Sequence, residues 1–308
     1  MTGEDPVTLR FSAAPGHLLR RAQQVHTDYW SQEVEEDVTG PQYATLVAVA
    51  GWPEVDQRLA GELASLDKST VAGVVARLES KGWITRRSHA ADARRRLLVL
   101  TDYAEQHLPT LTANAARVQR RLLAPIAEED RAELVALLQR VAFPDTVPTV
   151  CTAPRRDGEI LEMATTPGYL IRRAQQLHTA AWSRIFAGEL TSTQYAVLTA
   201  TSAGPVDQSQ IGTRASLDSS TVTGIVARLA DKGWLARQRD HVDRRRMLVA
   251  LTPPAVTALR HLTRSARQVQ DEVLCGLDGT EQDRFVTLMQ RVALIDRTTV
   301  DQVPTPAG

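Results

Sequence analysis

LDKSTVAGVVARLESKGW, residues 66–83, occurs twice in this chain. The second copy is LDSSTVTGIVARLADKGW at residues 217–234, and 13 of the 18 positions are identical. Each copy precedes an arginine-rich segment that closes on Leu-Thr, RRSHAADARRRLLVLT at 86–101 and RQRDHVDRRRMLVALT at 237–252. The chain is therefore an internal duplication, and every motif can be compared with its repeat.

The repeated segment has the pattern of a capped amphipathic helix. Asp67 and Ser69 are side chains that accept the free amide hydrogens of a first helical turn, and Gly82 suits the left-handed residue that ends a helix. The apolar residues at 3–4 spacing predict one buried face: Val71, Val74, Val75 and Leu78. The opposite face carries small or basic residues: Lys68, Ser69, Thr70, Gly73 and Arg77. A capped helix followed by a basic hairpin is typical of a winged helix-turn-helix.

Composition excludes several classes of protein. A chain of 308 residues is long enough for two domains of roughly 150 residues. It contains no apolar run of about 20 residues, which a membrane-spanning helix requires. The N-terminus lacks the basic-then-apolar pattern of a signal peptide. Cys151 and Cys275 do not correspond between the copies, so we expect reduced cysteines in the cytoplasm and no disulfide.

The formal net charge is zero, but the distribution of charge favours nucleic acid as a partner. Most of the 36 basic residues are arginines, and they cluster in the two predicted hairpins. Acidic residues concentrate elsewhere, at 33–37 and 128–130. A neutral protein with two basic stripes can still bind phosphates.

The repeats predict the same order of elements in each half: four helices, a hairpin and two further helices. Residues 1–14 are predicted to be a flexible N-terminus, 15–142 the first unit, 143–166 a linker, 167–295 the second unit and 296–308 a flexible C-terminus. A short helix is expected over about 55–64, and the last helices over 128–142 and 280–293. Pro109 should kink the long helix of the first half or delay its start.

The sequence lacks the motifs of an enzyme. It has no Gly-rich phosphate loop, no nucleophile elbow and no cluster of His, Cys and carboxylate residues. His89 and His107 have no histidine counterparts in the second half, which argues against a metal site common to both halves. We therefore expect no catalytic site, no metal and no cofactor.

Taken together, these motifs resemble those of the MarR family of bacterial transcription regulators. The first half carries Leu66-Asp67-x-Ser69-Thr70-Val71, Lys81-Gly82, Asp92-x-Arg94 and Leu100-Thr101. The second half carries Leu217-Asp218-x-Ser220-Thr221-Val222, Lys232-Gly233, Asp243-x-Arg245 and Leu251-Thr252. The combined spacing is far more specific than any single motif, and it covers nearly all of both halves.

The resemblance implies a mainly α fold with small β-hairpins, in which two winged helix-turn-helix domains share a helical dimerisation base. Members of the family are usually homodimers, so a duplicated chain implies an intramolecular pseudo-dimer. A domain-swapped assembly of two chains is the other arrangement that fits.

The resemblance also implies a DNA interface in each half. The reading helices would enter successive major grooves, and the arginines of the hairpins would reach the neighbouring minor groove or its phosphates. The residues expected to contact DNA are Lys68, Ser69, Thr70, Arg77, Arg94, Arg95, Ser219, Ser220, Thr221, Arg228, Arg244 and Arg245. Asp92 and Asp243 are expected to hold the wing arginines, since phosphates repel a carboxylate.

The two reading helices are not identical, which predicts an imperfectly palindromic operator in double-stranded DNA. Lys68 is replaced by Ser219, and Ala72 by Thr223. We expect the chain to be a sequence-specific transcriptional regulator, a repressor rather than an activator. The alternative is a winged-helix scaffold that binds protein partners and has no specific affinity for DNA.

The sequence also contains candidate residues for a ligand site. His26 and Trp30 are four residues apart and share a helical face, and with an arginine they could hold an aromatic carboxylate. The candidate ligand residues are His17, Arg21, His26, Trp30 and Tyr43, with Tyr169, Arg173, His178, Trp182 and Tyr195 in the second half. Plain packing of the same side chains in the helical base explains the pattern equally well.

Overall fold

The structure is a computed structural model that describes residues 8–144 and 160–295, except 36, 53, 90, 91, 93, 241, 242 and 244. It confirms the predicted fold class, because helices dominate and the strands form two small antiparallel hairpins. Parts of the predicted termini and linker lie outside the described residues, namely 1–7, 145–159 and 296–308, together with Cys151 and Arg244. Cys275 is exposed and unpaired.

The first half contains six helices and one hairpin within the described residues, in the predicted order. They are α1 (Pro15–Glu33), α2 (Gly40–Gly51), α3 (Gln57–Leu63), α4 (Lys68–Ser80), β1 (Ile84–Ser88), β2 (Arg96–Leu100), α5 (Asp102–Leu122) and α6 (Glu128–Ala142).

The second half repeats this order in its described part. Its elements are α7 (Pro167–Ile185), α8 (Ser192–Ala200), α9 (Gln208–Ala215), α10 (Ser219–Asp231), β3 (Leu235–Arg239), β4 (Met247–Leu251), α11 (Pro253–Val273) and α12 (Gly279–Val292).

Helix α4 forms where the sequence predicts it. The Asp67 carboxylate accepts hydrogen bonds from the amides of Ser69 and Thr70, both at 2.9 Å, and so satisfies the first turn. Gly82 follows the helix at a φ of +73°, a conformation that costs a residue with a Cβ more than it costs glycine. The four predicted apolar residues of the helix are all buried, and their side chains anchor it to its domain.

Each hairpin is bridged to the segment that precedes the short third helix. In the first half Leu98 donates its amide to Val55 at 2.8 Å, and in the second half Val206 and Val249 exchange both backbone hydrogen bonds. Backbone hydrogen bonds therefore attach the hairpin to the start of the helix-turn-helix. They fix the hairpin at this end.

Pro109 lies inside α5 and does not delay its start, so of the two expected effects the delay was wrong. The helix begins at Asp102, where the Thr101 hydroxyl accepts the amide of Ala104 at 3.2 Å. Proline removes one backbone donor and crowds the carbonyl four residues earlier. The flanking residues Leu108 and Leu111 are fully buried, and the burial of these side chains offsets the cost of the proline.

The chain divides into two compact units that do not coincide with the sequence repeats. One unit combines residues 23–173, and the other combines residues 1–22 with 174–308. The boundaries fall within helices α1 and α7, so the beginning of each of these helices belongs to the unit built mainly from the other repeat. We refer to them as unit A (23–173) and unit B (1–22 with 174–308).

Residues 8–14 were predicted to be flexible and 160–166 to be part of an irregular linker, but the structure shows 3-10 helices there, at Phe11–Ala13 and Met163–Thr165. In unit B the Gln290 side chain donates to the carbonyl of Ser12 at 2.6 Å. In unit A the equivalent Gln139 donates to the carbonyl of Ala164 at 2.7 Å. These long-range hydrogen bonds hold both segments, and a local reading of the sequence gives no sign of them.

Candidate functional site

The face of α4 that points away from the core is exposed, and two of its hydroxyl groups bind the residue that caps the helix. Lys68, Ser69, Thr70 and Arg77 are all solvent-exposed. The hydroxyls of Ser69 and Thr70 donate to the Asp67 carboxylate at 2.5 Å each, and these bonds hold the pKa of Asp67 well below its usual range. A hydroxyl that gives its proton to Asp67 can only accept a hydrogen bond from an outside group. It therefore suits an amino donor and not a phosphate oxygen.

Helix α10 repeats this cap in unit B. The hydroxyls of Ser220 and Thr221 donate to Asp218, both at 2.6 Å. The surface of the helix differs from that of α4, because the Thr223 hydroxyl donates to the side chain of Gln208 at 3.0 Å. Ser219 is exposed where the first copy has a lysine. The two helices thus present the same capped start with different neighbouring groups.

The wings contain both paired and unpaired arginines. Arg95 lies 3.8 Å from the carboxylate of Asp56, and the equivalent Arg246 forms an ion pair with Asp207. Within the described part of the chain, the guanidinium groups of Arg94 and Arg245 have no hydrogen bond or ion pair and are exposed. Both side chains are therefore available to an outside anion.

The predicted role of Asp92 and Asp243 needs a correction. Their carboxylates do not pair with the guanidinium groups of Arg94 and Arg245; each accepts the backbone amide of that arginine, at 3.0 Å in both wings. An aspartate two residues before a turn amide forms such a bond readily. The carboxylate therefore shapes the tip of the wing and leaves the arginine side chain unpaired.

The structure also exposes basic residues on the strands that the sequence interpretation had not included in the DNA interface. Arg87, Arg237 and Arg239 are exposed and form no ion pair with another described residue. Arg86 differs, because Glu79 holds it at 3.2 Å. Strand alternation could have revealed which arginines point outward, but not that a helix residue neutralises one of them.

Unit A contains a cavity of about 440 Å³, which we call the large pocket. The ligand candidates His26, Trp30 and Tyr43 line it together with Tyr169 from the beginning of α7. The indole of Trp30 donates to the carbonyl of Val38 at 2.7 Å, which fixes the ring in the wall. Three candidates of the first repeat thus meet one candidate of the second.

Unit B contains the equivalent cavity, the small pocket, of about 40 Å³. The candidates His178, Trp182 and Tyr195 line it together with His17 from the beginning of α1. Each pocket therefore combines side chains of both repeats, an exchange that the sequence did not predict.

The arginine that faces each pocket is not the predicted one. The large pocket is lined by Arg172 and the small pocket by Arg20, whereas Arg173 and Arg21 line neither. Arg173 instead donates to the carbonyl of Ala142 at 2.7 Å and lies over the ring of Phe143, 4.3 Å from its centroid. Adjacent residues on a helix differ by about 100° in direction, and the sequence could not tell which of the pair faces inward.

Arg172 connects the large pocket to the turn between α3 and α4. Its guanidinium donates to the carbonyls of Ala64 at 2.6 Å and Ser65 at 3.0 Å, which lie at the end of α3, just before the cap of α4. The Tyr169 hydroxyl donates to the carbonyl of Leu63 at 3.0 Å. Burial lowers the pKa of Arg172 to about 10, so it stays protonated at neutral pH. Arg20 makes the same contacts in unit B, with the carbonyls of Ala215 and Ser216.

The buried histidines of both pockets are neutral at physiological pH. Burial lowers the pKa of His26 and of His178 to about 4, and that of His17 to about 3, with nearby arginines adding to each effect. His26 lies 3.3 Å from the amide nitrogen of Gln119. A neutral imidazole can donate one hydrogen bond and accept another. These side chains can therefore orient a polar ligand without forming an ion pair with it.

Comparisons with known proteins agree with this architecture. Two family profiles, both described as MarR family, match residues 36–95 and 190–247. The transcriptional regulator HosA of Escherichia coli O157:H7 is 35% identical over 135 residues, which is 44% of this chain and 98% of HosA. The transcriptional repressor NicR of Pseudomonas putida is 30% identical over 127 residues, 41% of this chain and 80% of NicR.

Among solved structures, the PcaV transcriptional regulator of Streptomyces coelicolor in complex with its natural ligand is similar, with 41% sequence identity and a TM-score of 0.42. The match covers 44% of this chain and 96% of PcaV. HosA is matched over almost its whole length and each half of the chain carries its own profile match. The chain therefore belongs to the MarR family of DNA-binding transcription regulators and contains two copies of the family's domain.

Proposed function

We propose that this chain is a cytoplasmic repressor that binds an imperfectly palindromic operator as an intramolecular pseudo-dimer and releases it on binding an aromatic acid. In this proposal the repeats 15–142 and 167–295 each supply one winged helix, and the linker 143–166 joins them. The observation that best supports the proposal is that α4 and α10 are exposed and capped. Each lies beside a wing whose arginine, Arg94 or Arg245, forms no ion pair with a described residue. The name of NicR supports the assignment as a repressor.

The proposed DNA contacts are made by the basic side chains that form no ion pair within the protein. Arg77 and Arg94 of unit A, and Arg228 and Arg245 of unit B, are exposed and form no ion pair with the described residues. Such groups bind the phosphates of DNA, and each phosphate that they neutralise releases counterions. Lys68 and Ser219 occupy the same position in the two helices, and their difference supports unequal half-sites. Arg244, also predicted to contact DNA, lies outside the described residues.

The chemistry of the large pocket supports an aromatic carboxylate as the ligand. Arg172 lines the pocket wall, is half-buried, and forms no ion pair with a described carboxylate. An anion that entered would gain a charge-assisted hydrogen bond in a region of low dielectric constant. The acidic residues Glu35 and Asp37 also line the pocket, but both are exposed to solvent.

The rest of the pocket suits an aromatic ring with a polar substituent. Trp30 supplies a buried indole, and the Oε1 atom of Gln23 is buried without a hydrogen-bond partner among the described residues. That oxygen could accept a hydrogen bond from a hydroxyl group on the ring. We therefore favour benzoates that carry one or more hydroxyl groups.

Arg172 also suggests how the ligand acts on the reading helix. The guanidinium holds the carbonyls of Ala64 and Ser65, and a carboxylate would compete for the same donors. Hydrogen bonds to charged groups contribute about 1.5–3 kcal/mol, which is the size of a typical coupling between two sites. Loss of these bonds would loosen the α3–α4 turn and move α4 out of register with the groove.

The proposal is tested by selecting bound fragments from genomic DNA and measuring their affinity for the purified full chain by fluorescence anisotropy between 50 and about 300 mM salt. We expect log Kd to rise linearly with log salt and the selected fragments to bind at least about a thousandfold more tightly than random duplexes. Hydroxybenzoates should weaken that binding. Absent or salt-independent binding would instead support the scaffold that binds proteins.

A further inference from the structure

The two pocket tryptophans have different neighbours. Trp182 of unit B stacks on Phe186, with the ring centroids 4.3 Å apart and the planes only 7° from parallel. Trp30 of unit A has the corresponding tilted neighbours His26 and Tyr43, both at 5.7 Å, but no parallel ring among the described residues. The face-on stacking partner is therefore present in one unit only.

The residue that corresponds to Phe186 is Val34. Both follow the last turn of their helix and donate their amides to the carbonyl of the pocket tryptophan, Phe186 to Trp182 at 2.9 Å and Val34 to Trp30 at 3.0 Å. They are about equally buried, at 6% and 8% exposure. The backbone positions are thus equivalent, and the side chains differ by the size of an aromatic ring.

The shapes of the pockets follow this difference. The large pocket extends along Ser31, Val34, Glu35 and Val38. The equivalent stretch 183–190 lines no part of the small pocket. Phe11 narrows the small pocket further by packing on His17 at 4.9 Å, where unit A has the unbranched side chain of Met163.

We infer that Phe186 occupies, in unit B, the place that the aromatic ring of the ligand takes on Trp30 in unit A, so that each chain binds one ligand molecule and not two. This inference rests on the proposed ligand-binding function. Unit B is then a permanently filled copy of the site, and unit A is the copy that responds.

The volumes support a single working site. A cavity of roughly 150 Å³ is known to admit benzene, so about 440 Å³ accommodates a hydroxybenzoate and about 40 Å³ does not. The space left in the small pocket suits a few water molecules. Two of its buried polar atoms, Nδ1 of His178 and Oγ1 of Thr199, have no hydrogen-bond partner among the described residues, and water can satisfy such atoms.

The test is the stoichiometry of binding, measured by isothermal titration calorimetry of the full chain with benzoate and its mono- and dihydroxy derivatives. We expect one molecule per chain for the wild type. Val34→Phe, which gives unit A the residue found in unit B, should abolish binding. Phe186→Val, alone or with Phe11→Met, should create a second site and raise the stoichiometry to two. Circular dichroism melting curves establish that each variant is folded.

Tryptophan fluorescence assigns the occupied site. In Trp182→Phe the ligand should still quench the emission that arises from Trp30, and in Trp30→Phe it should leave the emission of Trp182 unchanged. Two molecules bound per wild-type chain, or one molecule unaffected by Val34→Phe, would overturn this inference and leave the ligand response in place. Absence of binding across the whole series, with operator binding intact, would overturn the ligand proposal itself and this inference with it.

Discussion

A Cβ atom built on Gly168 would lie 2.2 Å from Nε2 of His26, closer than any real contact allows. Gly16 has the same relationship with His178, at 2.0 Å. In both units the start of one first helix therefore packs directly on the imidazole of the other. The glycine of the Pro-Gly pair that opens each helix is therefore required for this approach of backbone to ring.

Gly168→Ala should lower the free energy of unfolding by about 1–3 kcal/mol, the usual cost of overpacking. Urea unfolding followed by circular dichroism measures the change. Gly279→Ala is the matched control, because a Cβ there meets nothing within 4 Å. The double variant Gly168→Ala with His26→Ala should lose less stability than the sum of the two single losses, and strict additivity would contradict the proposed contact.

Stability should fall as pH falls from about 6.5 to about 4, the window between the ordinary histidine pKa and the pKa of His26, which burial lowers to about 4. Because the unfolded chain binds the proton more readily than the folded chain, the stability is fully present above pH 6.5 and is lost below it. The variant His26→Gln should flatten this loss by about 3 kcal/mol, since the pKa is lowered by about 2.5 units and each unit is worth 1.36 kcal/mol. Urea midpoints at half-unit pH intervals would reveal it, and an unchanged slope would show that His26 is not the group responsible.

Arg94→Ala should weaken operator binding and reduce the salt slope by about 1, without a change in the melting temperature. Its guanidinium makes no ion pair with any other residue that the structure describes, so its charge is available to a phosphate. Arg95→Ala should have a smaller effect on affinity, since Asp56 already lies 3.8 Å from that side chain. Arg260→Ala, on the exposed surface of α11, serves as the control. Equal effects of all three substitutions would indicate a diffuse attraction and no specific wing contact.

Arg172→Ala should weaken hydroxybenzoate binding about tenfold to a hundredfold, the equivalent of about 1.5–3 kcal/mol. Arg173→Ala is the matched comparison, because its side chain contacts Ala142, Phe143 and the hydroxyl of Ser65 but does not line the large pocket. Calorimetric titration of both variants provides the measurement. A stronger effect at Arg173 than at Arg172 would reverse the assignment of the pocket arginine.

The two halves of the operator should respond unequally to mutation. Ser219→Lys combined with Thr223→Ala gives α10 two side chains of α4, and we expect the preferred half-sites to become more alike. Selection from a randomised operator library, performed on the wild type and on this variant, measures the change in symmetry. A wild-type operator that is already a perfect palindrome would contradict the prediction.

Local patterns in the sequence were enough to predict the reading helices and the wings. The cap at Asp67, the 3–4 spacing of the valines and the glycine at position 82 all act within one or two turns, and α6 has the predicted bounds 128–142. The family resemblance was likewise visible in these short motifs. Such features depend on neighbours in the chain and survive without any knowledge of the tertiary fold.

The pockets could not be predicted in the same way, because their walls come from distant segments. Nothing local distinguishes Arg172 from Arg173, since both side chains contact Ser65, and only the tertiary packing turns the first toward the pocket. The effect of Phe186 was equally hidden, since a valine-to-phenylalanine difference between repeats looks like ordinary divergence until the ring is seen stacked on Trp182. The ordered segments at 8–14 and 160–166 depend on glutamines more than 20 residues away.

The exchange of helix beginnings between the units has a consequence for how such a gene could be shortened. A transcript that ended after residue 142 would encode the first winged helix without Gly168, Tyr169 and Arg172, which form one wall of the large pocket. Neither half can therefore replace the other. A fragment could complete its unit only if a second polypeptide supplied the missing segment. Deletion of either half should therefore also impair the half that remains.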